Sequence, residues 1–94
     1  MKVRFTPRAL ADLDNIHSYL IDRSPSGSRR VASAIEGAVE LVRDHPEVGR
    51  LLARGVRRYP VPHLPYLLLY RVSLDAEELQ VLTIRHAARR PYLD

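Results

Sequence analysis

The fold of this chain is decided by the stretch Pro65-Tyr66-Leu67-Leu68-Leu69-Tyr70-Arg71-Val72. Such an apolar run, without regular polar alternation, is typical of a strand buried on both faces, and such a strand lies in the middle of a sheet. A polar connection follows, and the next apolar run, Leu79 to His86, is predicted to be its hairpin partner. Val56 to Val61 is predicted to be the preceding strand. The C-terminal half should therefore form a three-stranded antiparallel meander.

The N-terminal half carries the signals of one short strand and two helices. Met1 to Phe5 alternates and is predicted to be an edge strand. Thr6 is an N-cap residue and Pro7 suits the first helical position, so the first helix should begin there. Apolar residues recur at spacings of three and four along it, and the same spacing returns from about Ser28 to His45. Two antiparallel helices joined by a turn at Ser24 to Gly27 are predicted.

Three local features complete this outline. Gly37 lies inside the second predicted helix, where glycine costs about 1 kcal/mol relative to alanine, which indicates close packing against a neighbour. Asp12 falls on the predicted solvent face of the first helix. Pro46 to Gly55 lacks clear periodicity and is predicted to be a loop, with at most one helical turn at Arg50 to Arg54.

Helices and strands are segregated along the chain, which predicts an α+β fold. The fold class expected is an N-terminal edge strand, an antiparallel helical hairpin and a three-stranded antiparallel meander, in one domain over residues 1–94. The helical hairpin should cover one face of the sheet and leave the other face open.

Composition excludes several classes of function. A chain of 94 residues that is 46% hydrophobic forms a modest core but is too small for a deep, enclosed active site. It has no cysteine, its histidines lack zinc-ligand spacing, and it has no glycine-rich phosphate loop, so no metal and no cofactor are expected. No apolar run suits a membrane span or a secretory signal, which predicts a cytoplasmic protein without a membrane partner.

Arginine dominates the charge of the chain. Fourteen arginines and one lysine face eleven acidic residues, and the segment from Val48 to Val72 has five arginines and no acid. This balance suggests nucleic acid or an acidic protein as a partner. Arginines could bind phosphates bidentately while a nearby histidine transfers a proton; the alternative is ordinary solubilising charge. The candidate site residues are Arg50, Arg57, Arg58, Arg71, Arg85, His86, Arg89 and Arg90.

Two further groups of side chains have candidate roles. Leu10, Tyr19 and Ile21 fall outside the main apolar stripe of the first helix, which suggests contacts with a partner protein. Tyr66 and Tyr70 share one face of the central strand by its period of two, and packing beneath the helices is the more common fate of such residues than stacking on bases.

Several short motifs follow one another at characteristic distances. They are Phe5-Thr6-Pro7-Arg8-Ala9 with Asp12, Leu13 and Ile16, then Pro46-x-x-Gly49-Arg50, Arg57-Arg58, Pro65 to Val72, and Val81-Leu82-x-Ile84-x-His86 leading to Arg89-Arg90-Pro91. In this order the chain resembles the ParE branch of the RelE/ParE toxins of bacterial type II toxin–antitoxin systems. The resemblance spans nearly the whole chain and implies a RelE/ParE-like fold.

The resemblance also implies partners. A toxin of this kind is neutralised by a cognate antitoxin that wraps its helices and sheet, forms a hetero-oligomer with it, and links it only indirectly to operator DNA. RelE-like members are ribosome-dependent mRNA endonucleases, whereas ParE-like members are associated with inhibition of DNA gyrase. The nucleases typically carry an arginine three residues before the tyrosine of the central strand. Here that position, before Tyr70, is Leu67, which cannot stabilise charge on a scissile phosphate.

The expected function is therefore that of a ParE-like toxin that inhibits DNA gyrase by binding, through the arginines and His86. One alternative is a ribosome-dependent mRNA endonuclease that uses His86 as its catalytic residue together with the arginines. Another is a non-toxic basic binding module that kept the scaffold.

Overall fold

The computed structural model describes residues 1–88. The five strands in this part of the chain form one sheet in the order β1-β5-β4-β3-β2, with β1 parallel to β5 and the other neighbours antiparallel. The predicted α+β fold and the antiparallel meander are confirmed, and β4 is the central strand. The elements are β1 (Lys2–Phe5), α1 (Pro7–Ile21), α2 (Pro25–Asp44), β2 (Arg50–Leu51), a 3-10 turn (Ala53–Gly55), β3 (Arg57–Pro60), β4 (Tyr66–Ser73) and β5 (Glu78–His86).

The segment predicted to be a loop contains a strand. Arg50 and Leu51 of β2 pair with Arg58 and Arg57 of β3, and this short ladder extends the three-stranded meander at its outer edge. The 3-10 turn overlaps only the last two residues of the stretch, Arg50 to Arg54, where a helical turn was predicted. Two residues are too few to show a period of two, which explains why the sequence does not reveal β2.

Helix α2 begins three residues earlier than predicted. The Ser24 side chain accepts a hydrogen bond from the backbone N–H of Gly27 at 3.0 Å, and Pro25 occupies the first helical position instead of Ser28. This is the same arrangement that starts α1 at Thr6. Because Ser24 caps the helix, what resembled a four-residue turn is its first turn.

Two helical residues lie in surroundings that differ from the prediction. Gly37 is exposed, and a Cβ atom built there meets nothing within 4 Å, so close packing does not explain this glycine. Asp12 is only partly exposed, and its carboxylate accepts hydrogen bonds from the hydroxyl of Thr83 and, at 3.0 Å, from the backbone N–H of Ile84. Asp12 therefore joins α1 to the sheet.

These hydrogen bonds are made at a bulge in β5. Leu69 of β4 is paired with Thr83 and Tyr70 with Val81, which leaves Leu82 as an extra residue between them. The Thr6 hydroxyl donates to the carbonyl of Leu82 at 2.7 Å. Thr6 and Asp12 of α1 and its cap thus satisfy polar groups of β5 beyond Val81, where the ladder with β1 ends.

The main core lies between the helices and one face of the sheet, which we call the helix face. Tyr66 and Tyr70 both pack on this side, as the period of two predicts. Buried helical side chains there meet those of β4 and β5. These buried residues are Ala9, Val31, Ile35, Ala38, Val39 and Val42 from the helices and Leu68, Tyr70, Leu79, Val81 and Ile84 from the strands.

The opposite face, which we call the back face, is not bare, contrary to the prediction. Val56, Leu69 and Leu82 are buried there, and Leu52 and Leu67 pack against them. Since Leu52 and Val56 flank the 3-10 turn, the connection between β2 and β3 lies against this face and covers its apolar centre. No helix within residues 1–88 is long and apolar enough to cross a membrane.

Candidate functional site

Strand register places three of the candidate arginines on the back face. Directly paired residues of neighbouring strands have their side chains on the same face. Arg58 is paired with Leu69 of the back-face cluster, and Arg50 is in turn paired with Arg58. Arg85 is paired with Leu67, which packs on the same cluster. The three guanidinium groups therefore come from β2, β3 and β5.

Arg71 joins this group by alternation. It follows Tyr70, whose side chain is in the helix-face core, so its own side chain belongs to the back face. Its Nη1 atom lies 3.5 Å from the carbonyl oxygen of Arg54, at the turn between β2 and β3. We call Arg50, Arg58, Arg71 and Arg85 the arginine surface.

No carboxylate among residues 1–88 forms an ion pair with the arginine surface. The ion pairs found in residues 1–88 are Arg4 with Glu78 at 3.3 Å and Arg43 with Asp44 at 3.5 Å, and neither includes one of its four members. Arg50 and Arg71 are exposed, while Arg58 and Arg85 are half-buried. The back face thus presents positive charge from four neighbouring strands of one sheet.

Arg57 lies apart from this surface. It is paired with Tyr70, and its Nη1 atom donates to the carbonyl oxygen of Gly49 at 2.9 Å and approaches that of Glu47 at 3.4 Å. Its guanidinium group therefore holds the connection between α2 and β2. A partner-binding role for Arg57 would compete with these backbone contacts.

Tyr70 fixes the same connection from inside the core. The side chain is fully buried, and its hydroxyl donates to the carbonyl of Pro46 at 2.7 Å and accepts from the N–H of Gly49 at 2.9 Å. A Cβ atom at position 49 would lie 2.6 Å from this hydroxyl, so only glycine allows the approach. The motif Pro46-x-x-Gly49-Arg50 therefore has a structural meaning, because it anchors the chain immediately before Arg50.

The same burial determines the protonation of Tyr70. Loss of solvation raises the pKa of the phenol, and this outweighs the lowering by the Gly49 hydrogen bond and by the nearby Arg57 charge. The hydroxyl thus stays protonated at neutral pH and is engaged on both sides. That Tyr70 anchors this connection was not predicted from the sequence, although the Pro46-x-x-Gly49 motif that it binds is visible in the sequence.

His86 lies on the other side of the sheet from the arginine surface. It is paired with Tyr66 of the helix face, and the two rings meet edge to face with centroids 5.8 Å apart. Its Nδ1 atom accepts a hydrogen bond from the N–H of Ala88 at 3.1 Å. The exposed imidazole borders a cleft between α1 and the sheet that Asp12 and Tyr19 also line. Arg89 and Arg90 lie outside the described residues.

The three apolar candidates on α1 do not form one patch. Leu10, Tyr19 and Ile21 are 55%, 58% and 37% exposed. On a helix with about 3.6 residues per turn, Leu10 and Tyr19 project to opposite sides, whereas Ile21 projects to nearly the same side as Leu10. The guanidinium carbon of Arg23 lies 3.9 Å from the centroid of the Tyr19 ring. Leu10 and Tyr19 therefore cannot contact the same flat partner surface.

Leu10 lines a groove that runs between the two helices and β1. Its walls are mainly apolar and its rim is mainly acidic, with Asp14, Glu36 and Glu40 against a single arginine, Arg43. Beside it, β1 is the outermost strand of the sheet on that side, so its outer backbone groups have no partner strand within residues 1–88. The apolar lining residues are Val3, Phe5, Leu10, Leu13, Ile16, Val31, Ala32, Ile35 and Val39.

Comparisons with known proteins agree with this architecture. The family model described as the ParE toxin of the type II toxin–antitoxin system parDE matches residues 3–91. The toxin RelE2 of Caulobacter vibrioides is 36% identical over 88 residues, which are 94% of this chain and 97% of that protein.

Solved structures give the same result. A chain of the chromosomal ParDE system from P. aeruginosa is 26% identical, with a TM-score of 0.65, over 92% of this chain and 95% of that one. A chain of the toxin–antitoxin complex RelBE2 from Mycobacterium tuberculosis is 29% identical, with a TM-score of 0.59, over 90% and 95% of the two chains. Relatives named ParE and relatives named RelE thus share this fold.

Proposed function

This chain belongs to the ParE toxin family of type II toxin–antitoxin systems, within the RelE/ParE superfamily, and from that membership we propose that it inhibits DNA gyrase by binding. It would carry out no covalent chemistry of its own. It acts in the cytoplasm on replicating DNA and is held inactive by a cognate antitoxin.

The separation of the candidate catalytic groups carries this proposal. The position that holds an arginine in the RelE-like nucleases is Leu67, an apolar residue of the back face. The hydroxyl of Tyr70 is bound to Pro46 and Gly49 inside the core. His86 lies on the helix face, whereas the arginine surface lies on the back face. An RNA phosphate bound by these arginines would therefore lie on the opposite side of the sheet from the imidazole of His86, the candidate general base.

A RelE-like, ribosome-dependent mRNA endonuclease is the second candidate. Its support is the 36% identity to a toxin named RelE2. In this case His86 would be the catalytic residue, because its ring is exposed and its Nε2 atom has no hydrogen-bond partner among the described residues. The cleft that His86 borders, rather than the arginine surface, would then receive the RNA.

The groove beside Leu10 is the proposed antitoxin site. A helix with an apolar face fits a groove with apolar walls, and basic residues along its edges would complement Asp14, Glu36 and Glu40. A following extended segment would pair with the free edge of β1. Ile21 lies on the same side of α1 and extends this interface, whereas Tyr19 would be contacted only by an antitoxin that wraps around the helix.

A reconstituted assay tests the proposed activity. The purified toxin is added to DNA gyrase with relaxed plasmid and ATP, and separately to ribosomes translating a defined mRNA. We expect loss of supercoiling and accumulation of cleaved plasmid, reversed by the antitoxin, with intact mRNA. Cleavage of the mRNA at codon-phased positions with normal supercoiling would instead establish the second candidate.

A further inference from the structure

We propose that the arginine surface binds the phosphates of duplex DNA, independently of base sequence. This inference rests on the proposed function only for the source of that DNA, which would be the segment on which the target enzyme acts. The DNA contact itself is argued from the four arginines and the sheet that positions them.

Charge is the first support. Arg50, Arg58, Arg71 and Arg85 have no carboxylate within ion-pair distance among the described residues. A guanidinium group is planar, stays charged and donates two parallel hydrogen bonds to a phosphate, which a lysine cannot do. The single lysine of the chain, Lys2, lies on β1 at the far edge of the sheet. Phosphate is therefore the ligand that this surface suits best.

The position of the aromatic residues distinguishes duplex from single-stranded nucleic acid. Proteins that bind single strands stack the bases on aromatic side chains. Tyr59, Tyr66 and Tyr70 of the sheet all pack in the helix-face core, as does Phe5. Within residues 1–88 the back-face cluster contains no aromatic residue. This surface can contact a phosphate backbone but has no platform for unpaired bases.

The apolar residues of the back face argue against a protein ligand. Protein interfaces have an apolar centre that becomes buried on binding. Here the centre is already buried by the connection between β2 and β3, since Leu69 is 2%, Val56 3% and Leu82 9% exposed. What remains for a ligand is the partly buried Leu52 and Leu67 and the four arginines. A charged surface with little accessible apolar area is typical of nonspecific contacts with DNA.

The spacing of the arginines also fits a duplex. Neighbouring strands lie about 4.8 Å apart, so β2 and β5, which carry Arg50 and Arg85, are separated by about 14 Å. The major groove is about 12 Å wide, and flexible arginine side chains at this separation can reach phosphates on both of its sides. Because strand pairing fixes the register, the backbone that carries these arginines needs no rearrangement to bind.

Fluorescence anisotropy with labelled nucleic acids tests the proposal. The probes are two duplexes of unrelated sequence and about 20 base pairs, a single-stranded RNA, and a glutamate-rich peptide. We expect equal affinity for the two duplexes and weaker binding of the RNA and peptide. The logarithm of the binding constant should fall with the logarithm of salt concentration with a slope of about −3 to −4, as for four phosphate contacts.

Charge-matched variants identify the surface. Arg50→Gln, Arg58→Gln and Arg85→Gln combined should reduce duplex affinity at least tenfold and make the slope shallower by about 2.7. The control removes the same charge from exposed helical positions, Arg8→Gln, Arg29→Gln and Arg30→Gln, and should change affinity less than twofold. Replacement of the same three sheet arginines by lysine keeps the charge and should retain the slope. This variant also shows whether substitution at these three positions disturbs the fold.

Three results would overturn the proposal: equal loss of binding in both glutamine variants, preference for the RNA, or preference for the peptide. Gyrase assays on the same variants separate this inference from the proposed function. If the sheet variant no longer binds duplex DNA but inhibits gyrase normally, the DNA contact has no part in toxicity and the inference fails alone. If duplex binding follows the expectation and gyrase is unaffected by the wild-type toxin, the proposed function fails alone.

Discussion

The hydroxyl of Tyr70 makes two hydrogen bonds inside the core, and together they hold the segment from Pro46 to Gly49 against the sheet. Arg57 adds a third contact from its guanidinium group to Gly49. Since β2 begins at the next residue, Arg50, these contacts determine where one member of the arginine surface stands. The buried phenol of Tyr70 thus helps to position Arg50 on the back face, although it does not touch that residue.

Replacement of Tyr70 by phenylalanine should lower the free energy of unfolding by about 1–3 kcal/mol. The variant leaves the buried N–H of Gly49 and the carbonyl of Pro46 without their partner. An unsatisfied buried polar group destabilises the folded state more than the loss of the hydrogen bond alone. Chemical denaturation of both proteins measures the difference. Tyr19→Phe is the control, because this exposed hydroxyl should matter by no more than about 0.5 kcal/mol. Equal stability of the two variants would contradict the role of Tyr70.

The raised pKa of Tyr70 also predicts a pH dependence. Above the ordinary value of 10.0, the unfolded chain loses this proton while the folded protein, in which burial raises the pKa, retains it. The stabilisation is therefore complete below about pH 10 and declines as the pH rises beyond it. Urea denaturation across this range should show a shallower decline for Tyr70→Phe than for wild type. A decline of the same slope in both would show that the phenol titrates normally.

Alanine substitutions at two glycines should change the stability of the fold in opposite directions. Gly49→Ala should destabilise the fold by more than about 1 kcal/mol, because the added Cβ meets the Tyr70 hydroxyl at 2.6 Å and neither group can move freely. Gly37→Ala should stabilise it by about 0.5–1 kcal/mol, since α2 gains helix propensity and nothing lies within 4 Å. Melting temperatures of both variants test this. A loss of stability at Gly37 would restore the packing role that the sequence suggested.

At the scale of elements, α1 is fixed to the sheet through the bulge of β5. Thr6 contacts the extra residue Leu82, and Asp12 accepts hydrogen bonds from Thr83 and Ile84. The start of α1 was predictable, because an N-cap residue followed by proline is a local signal. The bulge was not, since the apolar run from Leu79 to His86 shows no break where the register shifts. Asp12 consequently resembled an ordinary solvent-facing residue.

Asp12→Ala should destabilise the protein by about 1–3 kcal/mol, because the N–H of Ile84 and the hydroxyl of Thr83 lose a shared acceptor. Asp14→Ala is the control, since Asp14 is an exposed acid on the same helix. Hydrogen exchange of β5 amides would show where the stability is lost. Faster exchange in both variants to the same degree would mean that the charge of α1, rather than this contact, stabilises the junction.

On the scale of the whole molecule, two surfaces of opposite charge face different directions. The groove between the helices has an acidic rim, whereas the back face carries the arginine surface. The count of arginines in the sequence predicted a charged partner surface. It could not show that His86 and Arg57 lie away from Arg50, Arg58, Arg71 and Arg85, because side-chain direction depends on register and on one extra residue in β5.

The groove leads to a prediction about the antitoxin. Leu10→Gln should weaken the toxin–antitoxin complex about tenfold, since a buried leucine contributes about 1.5–3 kcal/mol and each 1.4 kcal/mol is about tenfold in affinity. Leu74→Gln is the control, because Leu74 is 84% exposed in the turn between β4 and β5, outside the groove. Isothermal titration with the antitoxin measures both. A larger effect at Leu74 than at Leu10 would indicate that the antitoxin binds at the turn between β4 and β5 and not in the groove.

Induction of the chain without its antitoxin in a bacterial host would show whether this toxin acts by binding or by cleaving RNA. DNA breaks that depend on gyrase and cleavage of mRNA on ribosomes are mapped in the same cultures. We expect DNA breaks and a DNA damage response with intact mRNA, because Leu67 is apolar and the Tyr70 hydroxyl is hydrogen-bonded inside the core. Codon-phased mRNA cleavage without DNA breaks would contradict it and would make His86 the first residue to replace.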